Sequence, residues 1–167
     1  MKKQKGFSLI ELLIVVAIIL IIAAIAIPNL IKSKMAANEA SSVGSIRTIN
    51  TGEVNYAASC PAIGYSATLV ELNTGAICAG GTGIIDNVLA AGAKSGYTFT
   101  YTAGATAYGT GTAPTGCTGW GPTTFTIAAV PTSLNQTGQI GYFVDDSGVV
   151  RYNTSGAAPT NTSPSLQ

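Results

Sequence analysis

The chain has 167 residues, enough for one compact domain plus an appendage, and only 9% of them are charged. Net charge is +1, but without the first six residues five Lys/Arg face seven Asp/Glu, and the cations are scattered. A nucleic-acid surface needs clustered Lys or Arg, so no specific nucleic-acid partner is expected. Histidine is absent, which removes imidazole general bases, Ser-His and Cys-His nucleophilic pairs and most zinc sites.

The first six residues, Met-Lys-Lys-Gln-Lys-Gly, are short and basic. After Phe7-Ser8-Leu9-Ile10-Glu11 an apolar run extends from Leu12 to Ile27, and Leu30 and Ile31 carry it past Pro28 and Asn29. Positions 12–31 span about 30 Å as a helix, one hydrocarbon thickness. Lys2, Lys3 and Lys5 favour a cytoplasmic N-terminus, while Lys32 and Lys34 reach headgroups on the far side. A secretory signal requires small-residue cleavage after its apolar stretch, yet here the run continues through Ala23, Ala24 and Ala26. A plain anchor explains length and flanking charge, but not Glu11. A carboxylate within an apolar span costs about 2.5–3.5 kcal/mol on insertion scales and calls for a partner. Cleavage after Gly6 would remove all three lysines and create an ammonium on Phe7, four residues before Glu11. Within one helix the two are about 6 Å apart along the axis, so an axially shifted neighbour offers a better pair. Glu11 and Phe7 would then set subunit register, as a buried polar group does in a coiled coil. A carboxyl that stays protonated in the membrane is the alternative.

The stretch Lys-Gly-Phe-Ser-Leu-Ile-Glu-Leu-Leu-Ile-Val-Val-Ala-Ile-Ile, with Ile-Pro-Asn at 27–29, resembles the prepilins that carry a class III signal: type IV pilins and type II secretion pseudopilins. The resemblance covers residues 3–31 closely and the rest more loosely. It implies cleavage between Gly6 and Phe7 by a prepilin peptidase that also N-methylates Phe7. It further implies a Glu11–Phe7 pair between neighbours in a homo-oligomeric helical filament. The partners that follow are the peptidase/N-methyltransferase, the inner membrane and the pilus assembly machinery.

The helix is expected to run from near Phe7 to about Ala58, with a kink or local melting at Pro28, which removes a backbone donor and clashes with the preceding turn. Its outer half places Met35, Ala36, Ala40, Val43, Ile46, Ile49 and Val54 at spacings that suit one helical face. Gly52 is read as tolerated. Cys60-Pro61 ends the helix; Thr68-Leu-Val-Glu71 forms a capping-box pattern, and Asp86 begins a further short turn. Strands follow at Tyr97–Thr102, Thr123–Val130, Gly141–Val144 and Val149–Tyr152, with a Gly/Thr-rich loop over 103–121. The fold class is α+β, a long kinked N-terminal helix packed on a small antiparallel sheet. The division is a cleaved leader (1–6), a membrane and filament-core helix (7–31), its outer half (32–58), a periplasmic or surface domain (59–154) and a polar mobile tail (155–167).

Three cysteines, Cys60, Cys78 and Cys117, lie beyond the apolar run. In an oxidising compartment two of them pair; Cys60 with Cys78 closes the shorter loop, with the other pairings and three buried thiols as alternatives. Asp145 and Asp146 are the weak candidate for a metal, calcium, against a plain hairpin turn with Ser147 and Gly148. Asn135, Asn153 and Asn161 begin Asn-x-Ser/Thr sequons and are read as polar loop residues. No catalytic constellation and no cofactor motif is present, so the expectation is a structural subunit rather than an enzyme. A type IV pilus subunit leads a secretion pseudopilin, and a membrane-anchored periplasmic binding protein or enzyme is the remote alternative.

Overall fold

The computed structural model describes residues 7–74, 83–114, 117 and 119–166. Helix α1 spans Leu9–Ser59, followed by two short helices, α2 (Leu69–Thr74) and α3 (Asn87–Ala90). Five strands then follow: β1 (Ala93–Lys94), β2 (Tyr97–Ala103), β3 (Phe125–Pro131), β4 (Gly141–Asp145) and β5 (Arg151–Asn153). They pair in chain order, each antiparallel to the next. The chain divides into two compact units, up to Lys34 and from Met35 onward.

In the first unit α1 runs unbroken through Pro28. The expected local melting is not seen there: the helix carries the proline, which lacks the amide proton for one intrahelical bond.

In the second unit the buried residues of α1 are Ser42, Ser45, Ile46, Ile49, Gly52, Glu53 and Tyr56, three or four apart, a helical stripe. Of these, Ile46, Ile49 and Tyr56 join Tyr97 and Phe99 of β2, Phe125, Ile127 and Ala129 of β3, and Tyr142 and Val144 of β4 in one core. Those strand residues alternate with exposed or half-buried Thr98, Thr100, Thr126 and Ala128, so one sheet face is packed and the other meets solvent. Tyr101 stacks on Phe125 at 6.1 Å, and Tyr65 meets the same ring edge-on at 4.8 Å.

The stripe differs from the apolar face expected from sequence. Ile46 and Ile49 are fully buried, but Val54 is 53% exposed. Small and polar residues take the inward positions where other elements come close. Gly52 is the clearest case: a Cβ there would touch side-chain carbons of Ile84 and Ile85 at 3.4 Å, so those residues pack closely over the glycine. At Gly44 the same space is open.

The helix starts and turns follow local chemistry. The Thr68 hydroxyl accepts the Glu71 amide at 3.2 Å, and Glu71 reaches back to the amide of Ala67 at 2.7 Å. Asp86 caps α3 through the Leu89 amide at 2.7 Å and pairs with Lys94 at 3.2 Å. Those contacts, the Leu89 amide first, hold the Asp86 carboxyl below its usual range. The Gly/Thr-rich segment between β2 and β3 is an extension of their hairpin. Its arms stay joined by Gly104–Thr124, Thr123–Thr106 and Tyr108–Gly121 backbone bonds of 2.8–2.9 Å.

The segment expected as a mobile tail is tied down near its end. Tyr152 donates to the Pro164 carbonyl at 3.0 Å, Leu166 to that of Val150 at 2.7 Å, and the Arg151 guanidinium to that of Ser163 at 2.9 Å. Leu166 also packs against the core. Ser163–Leu166 thereby covers the open edge of β5, satisfying backbone groups that composition alone does not reveal.

Candidate functional site

The candidate site is the N-terminal part of α1. Its Leu, Ile and Val side chains from Leu9 to Ile31 are 43–80% exposed, and Phe7 is 81% exposed. Such a continuous apolar surface requires cover by lipid or by other chains. The helix is long and apolar enough to cross a membrane.

Glu11 lies in the first turn of this helix. Its Oε2 accepts the backbone amide of Ser8 at 2.9 Å, and the Leu12 amide donates to the Ser8 carbonyl at 3.3 Å. Ser8 therefore takes the N-cap position and Glu11 the third helical position, the spacing of a capping box. One otherwise orphaned backbone donor is satisfied, and the carboxylate is folded toward the N-terminus, where the helix dipole favours negative charge. This intrachain role is additional to the one read from sequence, and its signal was the Ser-x-x-Glu spacing. Phe7 precedes the cap, and Gly6 lies outside the described residues.

Other candidates lie elsewhere. Asp145 sits at the end of β4, where its Oδ1 accepts the Ser147 amide at 3.1 Å and also the Ser147 hydroxyl. Gly148, at φ 74°, returns its amide to the Asp145 carbonyl at 2.9 Å. This is the hairpin turn, and among the described residues no three His, Cys, Asp or Glu side chains converge. Cys60 is buried just beyond α1, whereas Cys78 lies outside the described residues. Cys117 is half-buried in the β2–β3 segment.

The chain combines a long apolar helix, with a carboxylate in its first turn, and a domain of helix on antiparallel sheet, an arrangement consistent with the pilin fold. Residues 1–27 match the prokaryotic N-terminal methylation motif, which takes in Gly6, Phe7 and Glu11. Over 39 residues the chain is 59% identical to the type IV wide pilus major component PilA4 of Thermus thermophilus, covering 23% of this chain and 30% of that protein. Over 54 residues it is 43% identical to the type IV major pilin protein PilA of Myxococcus xanthus, covering 32% of this chain and 24% of the relative. The matched stretch thus spans under a third of either relative. No solved structure matches the chain. The hydrophobic helix and the similarity to pilins fit a membrane-anchored pilus subunit.

Proposed function

We propose that this chain is the precursor of a type IV pilus subunit, a structural protein that polymerises through its N-terminal helix. The observation that carries the reading is Glu11, a carboxylate in the first turn of an exposed apolar helix within the methylation motif.

A prepilin peptidase cuts between Gly6 and Phe7 and methylates the new amine, which removes Lys2, Lys3 and Lys5. Before assembly residues 7–31 hold the chain in the inner membrane, N-terminus cytoplasmic and C-terminal domain periplasmic. The flanking lysines support that orientation. During assembly the stem leaves lipid for a bundle of identical stems, and the ammonium of Phe7 in one subunit pairs with Glu11 of its neighbour. An unpaired carboxylate in that core is costly, so the pair favours one axial stagger over the others. Pro28, already short of one backbone bond, is where the stem yields most easily to curvature. The Cys60–Cys78 disulfide closes the loop after α1.

Intact mass of the membrane-extracted protein tests the processing: loss of residues 1–6 with one added methyl is expected, and retention of Met1–Gly6 rules it out. Glu11→Ala tests the register. The variant should accumulate in the membrane yet fail to enter fibres sheared from the cell surface, and normal incorporation would contradict the role. Recovery of the wild-type chain in those fibres separates a surface pilus from a short secretion pseudopilus.

A further inference from the structure

Glu53 is the one carboxylate on the buried stripe of α1, and it is fully buried. Its Oε2 accepts the amide of Ser66 at 2.9 Å, and its Oε1 lies 2.5 Å from the Ser66 hydroxyl. The same hydroxyl lies 3.1 Å from the Thr68 carbonyl, and the Tyr101 hydroxyl donates to the Ser66 carbonyl at 2.6 Å. One buried cluster thereby joins three elements: α1, the loop that leads to α2, and β2.

The proton count is informative. A serine hydroxyl carries a single proton and cannot donate to Glu53 and Thr68 together. If Glu53 is charged, the proton goes to its carboxylate and the Thr68 carbonyl loses that donor. If Glu53 is neutral, it donates to Ser66, Ser66 donates onward to Thr68, and both contacts are made. The surroundings favour the neutral form too. Among the described residues no Lys or Arg lies within ion-pair distance of Glu53. The titratable groups around it are Tyr101 from β2, Glu71 from α2 and Tyr56 from α1, with Cys117 acting on Tyr56 from the β2–β3 segment. None of these supplies a positive charge, and the Tyr56 hydroxyl is itself buried without a hydrogen-bond partner.

We propose that Glu53 is held as the neutral acid, donating its proton to Ser66, and that its ionisation switches the loop between α1 and α2 from docked to released. On ionisation the proton passes to solvent, the Ser66 hydroxyl turns to the carboxylate, and a bare charge remains in the core. Burial is costly for that charge, so the open loop, which exposes Glu53 to water, gains population.

Desolvation by burial, partly opposed by hydrogen bonds from Ser66 and from the Tyr101 hydroxyl and aided by the nearby Glu71 charge, pushes the Glu53 carboxyl up from 4.5 to about 7. For a raised carboxyl the folded state binds the proton more tightly. Its contribution is complete below about 4.5, declines as pH rises to about 7, and is constant beyond.

The test is amide exchange on the full chain in detergent micelles, corrected for the intrinsic effect of pH. Protection across residues 63–72, Ser66 above all, should fall about tenfold or more between pH 5 and pH 8 and level off near neutrality. In Glu53→Gln the carboxamide still accepts from the Ser66 amide and donates to its hydroxyl, so protection should not change with pH. Wild-type protection that is independent of pH overturns the proposal, as does a Glu53→Gln profile that follows the wild type. Should Glu53→Gln not fold, the carbon-13 signal of the wild-type Glu53 carboxyl decides. A midpoint near neutrality supports the switch, and one in the ordinary glutamate range overturns it.

Discussion

Glu39 on α1 accepts the backbone amide of Gln139 at 2.8 Å, bridging residues one hundred positions apart. One position earlier, the Asn38 side-chain amide donates to the Thr137 carbonyl at 2.9 Å. Together they bind the β3–β4 connection to the helix, where Tyr97 in turn donates to the Ile140 carbonyl at 2.9 Å. Glu39→Ala should lower unfolding stability by about 0.5–1.5 kcal/mol, the ordinary worth of a partly exposed hydrogen bond. Asn38→Ala should cost a similar amount, and the double variant should depart from additivity because both contacts order one connection. Urea titration of the full chain in detergent measures all three.

The phase of the buried stripe on α1 is open to direct measurement. Ile46→Ala and Ile49→Ala each remove a fully buried side chain and should cost about 2–4 kcal/mol. Val54→Ala, on the exposed side, should stay within about 0.5 kcal/mol. A large loss at Val54 would favour the apolar face read from residue types over the stripe.

Gly52 should respond sharply to side-chain size. Alanine gains up to about 1 kcal/mol in helix propensity, which the 3.4 Å approach of Ile84 and Ile85 offsets, so Gly52→Ala should be near neutral. Gly52→Leu cannot be fitted without moving those residues and should cost about 1–3 kcal/mol. Thermal unfolding of the two variants separates packing from tolerance.

Removing residues 163–166 should leave most of the domain folded but uncover the backbone groups of β5. An uncovered edge pairs with other chains, so the truncated protein should associate at concentrations where the full chain does not. Light scattering distinguishes the two.

The sequence was most informative where one local rule acted alone. The alternation of aromatic residues and threonine over Tyr97–Thr102 leads directly to β2, and Asp145–Gly148 to its turn, because period and turn chemistry are local. The Ser-x-x-Glu spacing was recognised in kind at Thr68–Glu71, yet at Ser8–Glu11 the demand for a charge partner obscured it. The buried stripe on α1 differs in phase from the apolar face because hydrophobic type is a poor guide where inward positions are taken by Ser42, Ser45 and Gly52. Glu53 could not be found from its own segment, since the groups that make its burial tolerable, Ser66 and Tyr101, come from other elements. The hold on residues 163–166 is hidden from sequence for the same reason: their partners lie on and beside β5 rather than in any local side-chain pattern.

The order of the sheet bears on how the domain is made. Every strand pairs with its neighbours in sequence, so the sheet closes by successive hairpins. The closures between β1 and β2 and between β4 and β5 are short and carry a small entropic cost, whereas residues 104–124 separate β2 from β3. Distant contacts attach α1, such as Asn38–Thr137 and Glu39–Gln139, and also the loop after it, such as Tyr65–Pro122 and Ser66–Tyr101. A sheet paired in chain order can form before α1 docks on it. In the proposed pilus subunit, that order would let the sheet form before the chain enters a filament.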